Sequence, residues 1–249
     1  MAFSSIVDPV LRPFLFMHPL LSLTLLSFII ALIMNIIYKL MTNQTLMKTL
    51  KEDIKKFQKE MKELKHDPKK VMEVQKKAME TNMKYMMHSM KPTLVTFIPI
   101  ILIFGWLQAN LAFQPIMPDQ EFNTTIYFSE GVSGEAELVV TEGLTIISNS
   151  TQKIENRKAE WVLKGVSGEY VLEYLFKDKK YSKDVLITTK QEYKPITEKV
   201  SDGTVESINI GNIPLKPLNL FGWKVGWLGT YIIFSIIFSM VLRKIMKLH

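Results

Sequence analysis

Three long apolar segments punctuate the chain, from about Leu20 to Tyr38, Leu94 to Phe113 and Val225 to Leu242. Each has about 18 to 20 residues, close to what a helix needs to cross a hydrocarbon layer about 30 Å thick. In lipid an isolated segment satisfies its own backbone only as a helix, so three transmembrane helices are predicted. The two intervals between them differ in pattern. In the first, Met47, Leu50, Ile54, Phe57, Met61 and Leu64 follow a 3, 4, 3, 4, 3 spacing, the a and d seam of a two-helix coiled coil. His66-Asp67-Pro68 breaks it, because the residue before a proline disfavours helix and Pro68 suits a first helical turn. A second helix is expected beyond the break, with Met72, Met79, Met83, Met86 and Met90 near one face. Two arms of about 24 residues would each reach roughly 35 Å and fold back as an antiparallel hairpin.

The second interval switches to alternation. Phe122, Ile126 and Phe128, then Ala136, Leu138 and Val140, then Trp161 and Leu163, then Tyr170, Leu172, Tyr174 and Phe176, then Val185 and Ile187 read as strands separated by turns. Five to seven short strands predict a small antiparallel sandwich, with an immunoglobulin-like topology as one candidate. Lys177 to Lys180 is expected to form a hairpin loop. The stretch 192–224, with its lysines and prolines, reads as a linker returning to the membrane. The predicted domains are therefore 1–41 (N-terminal segment and first span), 42–91 (hairpin), 92–118 (second span), 119–191 (β domain), 192–224 (linker) and 225–249 (third span and basic tail).

Charge orients this arrangement. Lys39 to Lys91 holds 14 lysines and 7 acids, whereas Gln114 to Lys224 holds 13 basic residues and 16 acids. The basic loop should stay in the cytoplasm. Arg243, Lys244 and Lys247 fall on the same side if there are three crossings, which puts the N-terminus outside and the C-terminus in the cytoplasm of a cell-membrane protein. A cleaved signal peptide competes for the first span, but the segment is long, only Arg12 precedes it, and no small-x-small site follows Met34. Asn123-Thr124-Thr125 and Asn149-Ser150-Thr151 are glycosylation sequons in the outward interval, although Asn43-Gln44-Thr45 in the inward one fits equally. With no cysteine there is no disulfide, CxxC redox site or thiolate metal site.

Nine of the fifteen methionines lie between Met41 and Met90. A flexible, polarizable methionine surface can repack around apolar segments of unrelated sequence, but the same residues could simply fill the hairpin seam. The lysines likewise read either as a solvated, topology-setting face or as attraction to ribosomal RNA or anionic headgroups. The spans carry Ser22, Thr24, Ser27 and Asn35; Thr96, Gln108 and Asn110; and Thr230, Tyr231, Ser235 and Ser239, with Lys39 at the edge of the first. Hydroxyls bond back to their own helix and decide little. The amides of Asn35 and Gln108 want a polar partner, either across helices or in a hydrated substrate groove. Pro99 removes a backbone bond and can open space between helices.

The run Met90-Lys-Pro-Thr-Leu-Val-Thr-Phe-Ile-Pro-Ile-Ile-Leu-Ile-Phe-Gly-Trp-Leu after a Lys- and Met-rich hairpin resembles the archaeal branch of the YidC/Oxa/Alb superfamily of membrane protein insertases. So does Leu218-Asn-Leu-Phe-Gly-Trp-Lys-Val-Gly-Trp-Leu-Gly-Thr-Tyr before the terminal Arg243-Lys244. The resemblance covers roughly 1–118 and 213–249 and lies as much in the order span, hairpin, span, span as in the apolar runs. It implies a three-helix core with an outside N-terminus, related to a subunit of the endoplasmic reticulum membrane complex. It also implies a groove, open to cytoplasm and lipid, that accepts a client's polar flank. Bacterial relatives place an arginine in that groove on the first core helix; here Asn35 is neutral and Lys39 lies at the edge.

The fold expected is thus an α-helical membrane protein with a cytoplasmic coiled-coil hairpin and an extracytoplasmic all-β insertion. The groove residues expected are Ser27, Asn35, Lys39, Thr96, Gln108, Asn110, Ser235 and Ser239, with Met72, Met79, Met83, Met86 and Met90 as the client-binding face. Gly-Val-Ser-Gly, at Gly131 and Gly165, matches the Gly-x-Ser-Gly of intramembrane serine proteases, but no base is evident to activate the serine. Four scattered histidines (His18, His66, His88, His249) argue against a metal site, and no phosphate loop is present. No enzyme activity and no cofactor are expected. The partners expected are nascent membrane proteins and the lipid bilayer, with the ribosome and a small helical membrane subunit as further candidates, and no specific DNA. The competing function is a membrane-anchored receptor or adhesion protein acting through the β domain.

Overall fold

The structure is a computed structural model that describes residues 4–248; His249 lies outside them. The chain divides into two compact units.

The first unit is helical. Its elements are α2 (Pro19–Met41), α3 (Gln44–Glu63), most of α4 (Pro68–Leu111) and α5 (Trp227–Ile245). The short α1 (Ser4–Leu11) precedes them. Among the described residues, α2, α4 and α5 are the three helices long and apolar enough to cross a membrane. Phe28 of α2 meets Phe238 of α5 edge-on at 5.4 Å, and Phe104 of α4 meets Tyr231 of α5 at 4.8 Å. Leu23, Leu26 and Ile30 are buried beside them in sequence on α2.

Asn43 caps α3 by accepting the Leu46 N–H at 3.0 Å, and the break before α4 falls at Asp67-Pro68. The Asp67 carboxylate accepts the Lys70 N–H at 3.3 Å, satisfying one orphan donor of the new helix. On α3 the buried and half-buried side chains include Met47, Leu50, Ile54, Phe57 and Met61, the positions that the spacing predicts. The second hairpin arm and the second span are not separate helices. They form one 44-residue helix that runs through Pro92 and Pro99.

The second unit is built of strands: β1 (Phe122–Phe128), β2 (Glu135–Val139), β3 (Leu144–Ile146), β4 (Thr151–Lys153), β5 (Lys158–Gly165), β6 (Gly168–Phe176), β7 (Lys179–Ile187), β8 (Thr197–Lys199), β9 (Val205–Ile210), β10 (Leu218–Leu220) and β11 (Trp223–Val225). One antiparallel sheet has the order β3-β5-β1-β9-β8 and another β4-β2-β6-β7; β10 and β11 pair as a hairpin. Alternate residues of both larger sheets, among them Ile126, Phe128, Trp161, Leu163, Leu172, Tyr174, Ile187 and Ile208, form one buried cluster. The two Gly-Val-Ser-Gly copies fall in or beside separate strand connections, β1 to β2 and β5 to β6.

The linker reading of 192–224 is corrected here: the stretch holds four strands, one of them in the interior of a sheet. In β9, Val205, Ile208 and Ile210 are all buried. Their spacing of three and then two hides the strand, and the register against β1 shifts between Tyr127 and Phe128. A bulge adds one residue to one strand and breaks the alternation.

Edge strands of this unit carry charge. Lys183 lies on the inward side of β7, almost wholly buried, with its ammonium 3.5 Å from Glu198 on β8. An inward-pointing charge at an edge discourages pairing with another chain. Nearby, Asp202 accepts from Lys179 Nζ, from Tyr181 Oη and from the N–H groups of Thr204 and Val205. The Lys179 bond and then the backbone donors hold its carboxyl well below the usual range.

Candidate functional site

The sequence of α2 places Asn35 one turn before Lys39, and that of α4 places Thr96 where the lysine-rich arm gives way to apolar residues. In the helical unit these regions converge with the end of α5 around a cavity of about 370 Å³. Met34, Asn35 and Tyr38 line it from α2; Tyr85, Ser89, Pro92, Thr93, Thr96 and Ile100 from α4; Ser239 and Arg243 from α5. Thr93 and Arg243 are exposed, so the cavity reaches the surface of the unit.

Its polar lining is satisfied largely within each helix. Asn35, buried, donates Nδ2 to the Ala31 carbonyl at 2.7 Å. Ser89, Thr93 and Thr96 donate to Met86, Ser89 and Thr93 carbonyls at 2.9, 2.9 and 3.0 Å. Such back-bonded groups are cheap to keep in an apolar layer yet leave oxygen acceptors for water or peptide. The one cation of the lining is Arg243, whose guanidinium lies 5.1 Å from the centre of the Tyr38 ring. That contact restrains the guanidinium over an aromatic face.

Of the eight groove residues read from the sequence, the cavity brings together Asn35, Thr96 and Ser239. Ser27 is fully buried in α2, Ser235 is half-buried on α5, and Lys39 is exposed in the last turn of α2; none of the three lines it. Gln108 and Asn110 fall in the other unit, which corrects their grouping with Asn35. The Gln108 carbonyl accepts from Tyr193 Oη at 2.9 Å, while Tyr193 accepts the Ala112 N–H at 2.9 Å. Burial pushes the Tyr193 phenol up to about 12, so it remains a donor at neutral pH. Asn110 Nδ2 bonds back to Trp106. These bonds are internal to the second unit, which includes the last residues of α4. Arg243 was missed as a groove residue because a basic residue at the end of a span is already explained by orientation.

The methionines separate from the seam. Val74 is buried and Val71, Ala78, Thr81 and Tyr85 are half-buried on α4, whereas Met72, Met79, Met83, Met86 and Met90 are 47 to 70% exposed. At about 100° per residue the methionine stripe lies roughly 135° round the helix from those positions. These methionines therefore lie away from the buried side of α4. The stripe runs on into the span as Leu94, Phe97 and Ile101, all exposed. A second cavity, about 420 Å³, lies in the other unit among Leu15 to Pro19, Pro115 and Thr189 to Glu192.

The family model for the integral membrane protein EMC3/TMCO1-like group matches residues 4–131, just over half of the chain. No curated protein and no solved structure matches it. The matched stretch contains α2, α3 and α4, and with them the α2 and α4 walls of the cavity. The chain therefore belongs to the EMC3/TMCO1-like family of integral membrane proteins, within the insertase-related Oxa1/YidC/Alb3 superfamily.

Proposed function

We propose that the protein is a membrane protein insertase and chaperone that passes polar flanks of nascent transmembrane segments through the α2, α4 and α5 cavity without hydrolysing nucleotide. The family fits an insertase role in general. The observation that carries the finer reading is the cavity itself, in which an amide, six hydroxyl-bearing side chains and an arginine are held between three apolar helices. A polar group moved through hydrocarbon without a partner costs several kcal/mol, about 2 to 7 by most references. A lining of acceptors and one cation shortens that unsatisfied path, and burial of the client's own apolar helix, at about 25 cal/mol per Å², drives the process.

In this reading α3 and the first half of α4 form a cytoplasmic coiled-coil hairpin, and its exposed methionine stripe receives the client before the cavity does. The strand-bearing unit is an extracytoplasmic sandwich of immunoglobulin-like type. The N-terminus is outside the cell membrane and the C-terminus is cytoplasmic, in an archaeal-type member of the family. The protein is not an enzyme and uses no cofactor. Its partners are nascent membrane proteins, the bilayer, the ribosome and a small helical subunit, with no specific DNA.

A photoreactive residue at Met83 or at Asn35 is expected to capture a ribosome-bound nascent helix in vesicles. Capture only from positions in the strand-bearing unit would replace this reading with that of a receptor or adhesion protein.

Orientation has its own readout in the three sequons. Asn149 is exposed in the connection from β3 to β4. Asn123, half-buried on β1, donates Nδ2 to Glu160 at 2.6 Å, and Asn43 caps α3. In a glycosylating host, Asn149 should carry the glycan and Asn149→Gln should abolish the gel shift. A glycan on Asn43 would reverse the orientation.

A further inference from the structure

Before α5 the chain makes a tight hairpin, β10 against β11, with Leu218 opposite Val225 and Leu220 opposite Trp223. The two residues of its turn, Phe221 at φ 51° and Gly222 at φ 93°, are both left-handed. A two-residue turn of this hand matches the twist of the strands and favours Asn, Asp or Gly at both places. Gly222 obeys that preference. Phe221 does not, since a bulky side chain is strained at positive φ. Asn219 Oδ1 accepts the Gly222 N–H at 2.9 Å and pins the loop.

The same position is the worst one in water for a large ring. Phe221 is fully exposed and Trp223 is 72% exposed, with the exposed Lys216 and Lys224 nearby in sequence. A soluble surface would favour a small polar residue at such an apex, on both conformational and hydration grounds. The headgroup layer of a bilayer favours the observed set, because aromatic rings settle at that depth and lysine stems lie along apolar surface with their ammonium groups in water. The hairpin also sits at the right place in the chain. It ends at Val225, and α5, apolar and long enough to span, begins at Trp227. Its three-residue arms reach about 10 Å, enough to enter a polar layer of roughly 5 to 8 Å on each side of the hydrocarbon.

We propose that Phe221 and Trp223 form a lipid-inserted apex, seated at the boundary of headgroups and acyl chains in the leaflet where α5 begins. The occupant of this exposed aromatic surface is lipid, and the hairpin adjoins the span directly in sequence. Held there, the hairpin fixes the depth at which the third span starts. The inference rests on α5 being membrane-embedded and is independent of the insertase reading.

The cysteine-free chain allows a direct test. Nitroxide labels are placed singly by Phe221→Cys and by Trp223→Cys, each leaving the other ring in place. Further labels go at Ile236 on α5 and at Asp178 in the β6–β7 turn, both exposed. The full chain is reconstituted in vesicles of phosphatidylcholine and phosphatidylglycerol, and collision with oxygen is compared with collision with a water-soluble nickel chelate. Oxygen should dominate at Ile236 and the chelate at Asp178. The labels at 221 and 223 should side with oxygen, severalfold above the ratio at 178. A ratio at 221 and 223 equal to that at 178, with Ile236 still in lipid, overturns the lipid apex and leaves the span intact. Shielding of both labels from both reagents also overturns it, because a protein surface then covers the hairpin. Chelate access at Ile236 would overturn it together with the membrane placement of α5.

Discussion

Replacing Asn35 and Arg243 together by leucine should slow insertion of a client with a charged translocated flank about tenfold, while Gln108→Leu leaves the rate unchanged. Asn35 and Arg243 line one cavity from α2 and α5, and Gln108 lies in the other unit. A tenfold change corresponds to about 1.4 kcal/mol on the barrier, within the range of one imperfectly compensated polar group in an apolar setting. The variant should fold. The Asn35 amide bonds to its own helix at the Ala31 carbonyl, so leucine strands no partner side chain. Arg243 is exposed, and Lys244 and Lys247 remain to hold orientation. The measurement is protease protection of the translocated flank in vesicles over time. A client with a short uncharged flank serves as reference and should insert at the parental rate. Equal rates for both clients through parent and variant would remove the cavity from the mechanism.

What could be read from the chain and what could not divide along physical lines. Length and apolarity are local properties, so the three spans were legible, as was the helix break at Asp67-Pro68, where proline chemistry acts on its own neighbours. The α3 positions Met47, Leu50, Ile54, Phe57 and Met61 were legible because a helical period repeats without interruption. By contrast β9 was hidden: the register shift puts Val205 and Ile208 on the same side three residues apart, and alternation is the only signal a short strand gives. Grouping Gln108 with Asn35 failed for another reason. Polarity within a span does not say which surroundings a side chain meets: Gln108 is exposed, and Tyr193, 85 residues further along the chain, donates to its main-chain carbonyl rather than to its amide. Arg243 reads in the sequence as an orientation signal, yet the same residue lines the cavity. Helical spacing alone does not decide whether a methionine stripe is buried or open, and on α4 Met72, Met79, Met83, Met86 and Met90 are exposed.

Trp161→Ala should be the most damaging single change in the strand-bearing unit. Trp161 is fully buried on β5, its indole N–H donates to the Ser150 carbonyl at 2.8 Å, and its ring meets Tyr174 of β6 edge-on at 5.6 Å. It thus joins the two sheets at the centre of their common cluster. Truncating a buried tryptophan costs about 3 to 5 kcal/mol, against a total of about 5 to 15 for a domain. The unit's thermal midpoint should fall by roughly 10 to 20 °C, read by near-ultraviolet circular dichroism. Tyr174→Phe provides the contrast. Tyr174 shares a hydrogen bond with Thr124, but Thr124 also donates to the Asn209 carbonyl at 3.1 Å, so removing the phenol leaves no wholly orphaned hydroxyl and should cost about 1 kcal/mol. The order of the two effects tests whether packing or hydrogen bonding holds the sheets together; a larger loss from Tyr174→Phe would reverse that assignment. Below its lowered midpoint the Trp161→Ala protein should still insert clients at the parental rate, because the cavity belongs to a unit with its own contacts between helices. A loss of insertion in a variant whose strand-bearing unit is still folded would instead make that unit part of the insertion machinery.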